Sequence, residues 1–85
     1  MSVRVDPTPN PNAMKFSVGS PVGGPKTVSA DAPDGDEMTD ALVGVAGVTS
    51  IFLTADFVTV TKSPEAAWEA ITPEVTSILE QHFGA

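Results

Sequence analysis

The sequence contains no cysteine, and this absence excludes two kinds of chemistry at once. Without thiols the chain can form no disulfide and offers no thiolate site to a metal ion. A domain of 85 residues must therefore be stabilised by packing alone, with most of its apolar residues in one core. The hydrophobic fraction of 41% is sufficient for such a core, so we expect residues 1–85 to fold as a single domain.

Basic residues are also scarce. Four cationic side chains stand against eleven carboxylates, which gives a formal net charge of −7. Because affinity for nucleic acids depends largely on cationic contacts with phosphates, we expect no binding to nucleic acid. The same charge argues against an anionic membrane surface. The acidic field would attract a basic protein or a cation, although it is also typical of a domain that is simply soluble.

Histidine and long apolar runs are the remaining deficits. The single histidine, His82, lies near the end of the last predicted helix, where an imidazole is most simply solvated. A catalytic nucleophile needs a base within hydrogen-bond reach, and a histidine at a helix end is poorly placed for this role, so we expect that the protein is not an enzyme. No segment approaches the roughly 18 apolar residues of a membrane span, and residues 1–7 do not resemble a signal peptide. We therefore expect a cytoplasmic protein.

The residues that are present alternate in a pattern typical of β-strands. Apolar residues alternate with polar ones over residues 14–18, which predicts a half-buried strand, and residues 27–30 predict a second, shorter one. Residues 48–62 contain two runs of β-branched and aromatic residues, separated by a short turn at residues 54–56. This pattern predicts an antiparallel hairpin.

Between the second strand and the hairpin, a short helix is predicted. Four apolar residues fall at helical spacing and on one face: Met38, Ala41, Leu42 and Val45. Asp36 is placed to cap the amino end of this helix, with Glu37 close to the positive end of its dipole. Gly47 is placed to end it.

The last third of the chain is predicted to be helical. A serine and a proline at positions 63 and 64 form a start signal, and Thr72 with Pro73 repeats it. Helical spacing continues across this second proline through six apolar residues: Trp68, Ile71, Val75, Ile78, Leu79 and Phe83. The pattern predicts either two abutting helices or one helix kinked at Pro73.

Together these elements predict an α+β fold with the order β-β-α-β-β-α. Its small antiparallel sheet would include the hairpin over residues 48–62. Each helix has one apolar stripe to bury, so the helices should pack on one face of the sheet.

Two polar segments are candidates for function. In residues 6–12 prolines alternate with short polar side chains, which predicts a stiff extended or turn segment in which Asn10 and Asn12 bond the backbone. The second segment is acidic and contains five carboxylates: Asp31, Asp34, Asp36, Glu37 and Asp40. These residues could form a site for a divalent cation such as Ca²⁺, but they do not follow the EF-hand pattern. A capped helix start with a solvated acidic face explains the same residues, and we favour this explanation over a cation site.

Two stretches resemble a known family. They are Thr8-Pro-Asn-Pro-Asn-Ala-Met-Lys-Phe16 and residues 47–62 followed by Trp68, and they look like the N-terminal domain of Nfu/NifU-type iron–sulfur scaffold proteins. The resemblance extends from about Thr8 to Phe83. It implies an α+β domain with a place in iron–sulfur cluster assembly or delivery.

In that family a second domain carries a Cys-x-x-Cys motif that holds the cluster. Because an iron–sulfur cluster is held by thiolates, we expect this chain to act as a stand-alone accessory domain that binds no cluster, cofactor or metal itself. The resemblance implies a protein partner in the iron–sulfur pathway. Within the first stretch, Thr8 and Lys15 are expected to face that partner, whereas Phe16 should pack in the core. The full candidate set for partner binding is Thr8, Asn10, Asn12, Lys15, Asp34, Asp36, Glu37 and Asp40.

Other interpretations of the same residues stay open. One is a small acidic domain that binds a divalent cation through its carboxylates. Another is a structural homo-oligomer that pairs the exposed edges of its sheet. We expect a monomer or a weak homodimer.

Overall fold

The computed structural model describes residues 3–22, 25–32 and 35–83, and all statements about structure below concern these residues. They form five strands and two helices. In chain order these are β1 (Arg4–Pro7), β2 (Ala13–Ser17), β3 (Lys26–Ser29), α1 (Glu37–Val43), β4 (Val48–Thr54), β5 (Phe57–Lys62) and α2 (Trp68–Phe83).

The five strands form one sheet in the order β1-β2-β5-β4-β3, and every neighbouring pair is antiparallel. The predicted hairpin over residues 48–62 is confirmed as β4 and β5. Its turn is tighter than expected, because Thr54 already belongs to β4 and only Ala55 and Asp56 connect the strands. Ala55 adopts a φ of 52°, the left-handed conformation that such a short connection requires.

One face of the sheet carries the core. Successive residues of a strand point to opposite faces, and the inward-facing residues of the three central strands are almost all buried. The helices cover this face with Leu42 from α1 and with Ile71, Val75 and Leu79 from α2, each 1% exposed or less. The predicted α+β class, with helices packed on one face of an antiparallel sheet, is therefore confirmed.

The element order differs from the prediction by one strand, since β1 precedes the two predicted before α1. Residues 6 and 7 belong to the segment predicted to be a stiff extended stretch or a turn; they are extended, and Asp6 pairs with Lys15 and Pro7 with Met14 in register with β2. A proline is tolerated there because β1 is an edge strand, where one side of the backbone needs no partner in the sheet.

Helix α1 is shorter than predicted. Asp36 is its N-cap, as expected, and the side-chain oxygen of Asp36 accepts hydrogen bonds from the Met38 and Thr39 amides. The helix ends at Val43 with Gly44 as its C-cap, so the prediction that Gly47 ends it is wrong. Ala41 is exposed rather than inward-facing, and the buried Val43 lies on the core side instead.

Helix α2 is one element. It runs through Pro73, which is exposed, so the alternative of two abutting helices is wrong. The predicted start at Pro64 is also wrong, because residues 64–66 form a turn in which the Ala66 amide donates to the Ser63 carbonyl oxygen. The helix begins at Trp68, where the chain comes back over the sheet.

Gly47 serves a different purpose from the predicted one. It adopts a φ of +97°, and a Cβ at this position would lie 2.7 Å from the Ala66 Cβ and 3.2 Å from the Ile71 Cδ1. The carbonyl oxygen of Gly47 also accepts a hydrogen bond from the amide of Ser63, the residue that follows β5. Only glycine satisfies both the backbone conformation and the close approach.

Replacing Gly47 with alanine should therefore destabilise the domain more than the same change at Gly19. Gly19 has a φ of +73° but no atom within 4 Å of its added Cβ, so Gly19→Ala should cost about 1–2 kcal/mol from conformation alone. Gly47→Ala adds the steric clash and should cost clearly more. Urea unfolding of both variants tests this; equal losses would show that the contact with Ala66 does not constrain the turn.

Candidate interaction site

The proline-rich loop before β2 is a tightly hydrogen-bonded turn. The Ala13 amide donates to the Asn10 carbonyl oxygen at 3.0 Å, which closes a four-residue turn with Pro11 at its second position. The side-chain oxygen of Asn10 accepts from the Asn12 amide at 2.9 Å. This contact confirms the predicted role of Asn10 in fixing the turn.

Thr8 is part of the same network. Its hydroxyl oxygen lies 2.9 Å from the carbonyl oxygens of both Asn10 and Ala13, and it accepts from the Asn10 amide at 3.2 Å. One hydroxyl proton is therefore shared between two acceptors. The expectation that the Thr8 side chain is free to face a partner is wrong, because its hydroxyl holds the loop closed.

Lys62, the last residue of β5, fixes the loop to the sheet. Its backbone amide donates to the Asn12 carbonyl oxygen at 2.8 Å, and its Nζ donates to the Asn12 side-chain oxygen at 3.2 Å and to the Ser63 carbonyl oxygen at 3.3 Å. Lys62 is only 8% exposed. No carboxylate lies within salt-bridge distance of it among the described residues, so neutral oxygens solvate this buried ammonium group.

Trp68, the first residue of α2, packs against the loop and Lys62 from the helix side of the sheet. Its indole Nε1 donates to the Pro11 carbonyl oxygen at 3.0 Å, and its ring lies 5.8 Å from Lys62 Nζ and 6.5 Å from the ring of Phe16. Phe16 is fully buried, as predicted. Trp68 was predicted to be a core residue, but it is half-buried at the edge of the core because its polar N–H must reach the loop.

We call residues 8–12, Lys62 and Trp68 the loop junction. It joins the loop to Lys62 and Trp68, which lie 50 and 57 positions further along the chain from their respective partners Asn12 and Pro11. Its outer surface consists of Pro9, Asn10 and Pro11, which are all exposed, beside the accessible edge of Trp68. The part of the chain described by the structure contains no pocket, so this candidate site is a surface and not a cavity.

Lys15 does not belong to the loop junction. It is on the opposite face of the sheet from Phe16, and its Nζ lies 4.4 Å from the centre of the Phe57 ring. Lys15 is half-buried and lies on a different surface from the loop.

The acidic candidates lie far along the chain from the loop and are used in part by α1. The Asp36 side chain caps the helix, and the Asp40 Oδ1 accepts from the Gly35 amide at 3.3 Å. Glu37 is exposed, and Asp34 lies outside the described residues. Within the described ranges, no group of three histidine or acidic side chains is arranged to hold a metal ion.

The sequence analysis did not identify Lys62 as a site residue. The available signal was the alternation of β5, in which Val58, Val60 and Lys62 share the inward face. A lysine at the third of these positions must bury its charge or find acceptors. The pattern indicated that Lys62 needs hydrogen-bond acceptors, but it could not indicate that Asn12 is one of them.

The chain is similar to known proteins in sequence and in fold. The chain matches the family model described as "Scaffold protein Nfu/NifU N terminal" over residues 3–85. It is 36% identical over 90 residues to the mitochondrial NFU1 iron–sulfur cluster scaffold homolog of Drosophila erecta, covering 100% of this chain and 31% of that protein. The chain thus spans about a third of the length of the curated relatives it matches.

Solved structures give the same picture. The crystal structure of protein SAV1430 from Staphylococcus aureus is 30% identical, covers 94% of this chain and all of that chain, and superposes with a TM-score of 0.78. A NifU-like protein from Saccharomyces cerevisiae superposes with a TM-score of 0.83 over 96% of this chain and 77% of that chain. Its identity is 22%, so this second likeness shows a shared fold alone.

Removing the charge of Lys62 should weaken the loop junction. Lys62→Met keeps most of the aliphatic side chain but leaves the Asn12 side-chain oxygen without its donor, and we expect a loss of about 1.5–3 kcal/mol in the free energy of unfolding. Lys15→Met is the matched control, because it removes a charge from the open surface and should cost at most about 1 kcal/mol.

Trp68 is the only tryptophan of the chain, so its fluorescence reports directly on the junction. Its emission should change in Lys62→Met and stay unchanged in Lys15→Met. Equal stability and equal emission of the two variants would show that Lys62 does not organise the loop.

The acidic segment gives a separate prediction. Asp36→Ala removes the N-cap and should destabilise the domain by about 1 kcal/mol, whereas Glu37→Ala removes an equal charge that accepts no cap hydrogen bond and should cost less. Thermal unfolding with and without Ca²⁺ or Mg²⁺ measures both effects. A cation that stabilises the parent protein but not Asp36→Ala would show that the acidic segment is a metal site and not only a cap.

Proposed function

We propose that this chain, which belongs to the family of Nfu/NifU scaffold N-terminal domains, is a non-catalytic interaction module in iron–sulfur cluster assembly or delivery. Its partner is a protein that builds, carries or receives a cluster. The chain itself holds no cluster, because its sequence supplies none of the thiolates on which such clusters are bound.

The observation that carries the partner-binding role is the hydrogen-bond network that closes the loop junction. Thr8 and Asn10 direct their side chains to the loop itself, the Asn12 side chain accepts from Lys62, and Lys62 and Trp68 fix the loop to the sheet and to α2. A surface loop does not need this many internal contacts to connect two strands. A loop that is ordered before binding pays less conformational entropy on association, which favours a recognition role.

The chemistry of the exposed residues supports the same role. Pro9 and Pro11 are exposed and present rigid apolar rings. The side-chain oxygen of Asn10 accepts from the Asn12 amide, so its side-chain NH2 group can donate to a partner. The half-buried edge of Trp68 lies next to them. Tryptophan is among the residues that contribute most to binding energy at protein interfaces. A partner that contacts this surface would bury an apolar centre with one amide donor.

The experiment is a crosslinking capture with the full chain in its source cells, followed by mass spectrometry. The test variant is Pro9→Ser/Pro11→Ser, and the matched control is Pro21→Ser/Pro25→Ser, which changes two exposed prolines elsewhere. Wild type and control should enrich proteins of iron–sulfur assembly or cluster-receiving proteins. The test variant should capture at least about fivefold less, which corresponds to about 1 kcal/mol. Capture without any such protein, or equal capture by both variants, would contradict the proposal.

A second measurement tests the absence of a cluster. The purified chain should bind no more iron and sulfide during anaerobic reconstitution than a cysteine-free control protein of similar charge. Stoichiometric iron and sulfide in the folded chain would show that it holds a cluster through other ligands.

A further inference from the structure

The face of the sheet opposite the helices is uncovered. Thirteen strand residues point to this side, and none of them is buried: Arg4, Asp6, Ala13, Lys15, Ser17, Thr27, Ser29, Ser50, Phe52, Thr54, Phe57, Thr59 and Thr61. We call this surface the open face. Most of its side chains are small or carry hydroxyl groups, which is ordinary for a solvated sheet face. Its aromatic and charged residues are less ordinary.

Two phenylalanines lie on adjacent strands of the open face. Phe52 on β4 is opposite Thr59, and Phe57 on β5 is two residues before Thr59, so the two rings are diagonal neighbours on adjacent strands. Phe52 is 39% exposed and is the one large hydrophobic residue exposed to this degree in the described ranges. Lys15 extends the row across β2, with its Nζ 4.4 Å from the centre of the Phe57 ring.

Charge is distributed unequally between the two sides of the protein. All four cations of the chain lie in strands, and Asp6 is the one carboxylate in the described strands. On the open face Asp6 is paired with Arg4 at 3.1 Å. Lys15 has no carboxylate within salt-bridge distance among the described residues. In a protein of net charge −7, Lys15 is therefore a surface cation that makes no salt bridge among the described residues, with Asp6 as its cross-strand neighbour and Arg4 paired to that carboxylate.

The size of the open face helps to identify its occupant. Five strands about 4.8 Å apart and about 17 Å long give an area of roughly 400 Å². A stable interface between two proteins buries about 800 Å² of accessible surface on each side, so a second copy of this chain would have to cover the whole open face and the loops around it, whereas a short segment needs only the row formed by Phe52, Phe57 and Lys15. A short segment of another protein fits the area.

From these observations we infer that the open face is a second docking surface, for a protein segment that carries carboxylates beside an aromatic or aliphatic side chain. The apolar side chain packs on Phe52 and Phe57, and a carboxylate pairs with Lys15. This inference does not depend on the loop junction, since the two surfaces lie on different sides of the sheet. It also limits the general expectation that an acidic domain attracts only basic partners.

The test is a titration of the isotope-labelled full chain, followed by the NMR shifts of its backbone amides. The probe is the terminally blocked peptide EELFEE, and the matched controls are QQLFQQ and KKLFKK. The acidic peptide should shift amides of the strands that carry Phe52, Phe57 and Lys15, with a weak Kd on the order of 1 mM. The neutral peptide should bind at least about fivefold more weakly, and the basic peptide should shift amides of the helices instead.

Two variants make the result specific. Lys15→Met and Phe52→Ser should each weaken the acidic peptide at least about fivefold, whereas Ser50→Ala on the same face should not. All three positions point to solvent, so the fold should persist, and the amide spectrum of each free variant shows whether it does. Added salt should weaken binding to the wild type and have little effect on Lys15→Met.

Several results would overturn the inference. They are an absence of shifts with EELFEE, equal shifts with QQLFQQ, shifts confined to the loop junction, and concentration-dependent shifts of the open face without peptide, which would identify a second copy as its occupant. Failure of the proposed function is distinguishable, because it would appear as equal capture by Pro9→Ser/Pro11→Ser and its control, a result that concerns the loop junction alone, and Trp68 fluorescence reports on that side.

Discussion

The hydrogen bond between Lys62 Nζ and the Asn12 side chain connects the end of β5 to the loop before β2. The residues are 50 positions apart, and the Trp68–Pro11 contact next to them spans 57 positions. Contacts of such long range are costly in chain entropy, so they form only when the intervening sheet is in place. Once formed, they fix the loop, the end of β5 and the start of α2 relative to one another.

This contact also explains why a lysine is tolerated on the inward face of β5. A buried ammonium group loses the hydration that favours its charge, and it needs acceptors in return. Here the acceptors are the Asn12 side chain and the Ser63 carbonyl oxygen, with the Trp68 ring at cation–π distance. The arrangement uses neutral groups only. It therefore places a polar cluster at the edge of the core without a buried ion pair, whose contribution to stability is often small.

Most of the fold could be predicted from the periodicity of the sequence. The hairpin was predictable because Val58 and Val60 alternate with polar residues, and the cap of α1 because Asp36 precedes its apolar stripe. The edge strand β1 was missed, since Pro7 indicates a turn locally and is allowed in a strand only by its place at the sheet edge. The start of α2 was missed because Pro64 gives a valid start signal that the tertiary structure does not use.

The candidate site was only partly predictable, for a related reason. The turn chemistry of Asn10 is local and could be inferred from its neighbours along the chain. The roles of Lys62 and Trp68 depend on partners about 50 residues away, which periodicity does not report. Lys15 was predicted to face a partner together with Thr8, but the sheet register and its contact with Phe57 show that it lies on the side opposite the loop.

Recognition through the loop junction requires that Lys62 orders the loop before any partner binds. Amide hydrogen exchange of Asn12 and Ala13, compared between wild type and Lys62→Met, measures this directly. The Val58 and Val60 amides, which lie in the central strand, report global opening in the same samples. We predict that in the variant exchange at Asn12 and Ala13 accelerates by more than exchange at Val58 and Val60. Equal acceleration at all four amides, or none at Asn12 and Ala13, would contradict the account.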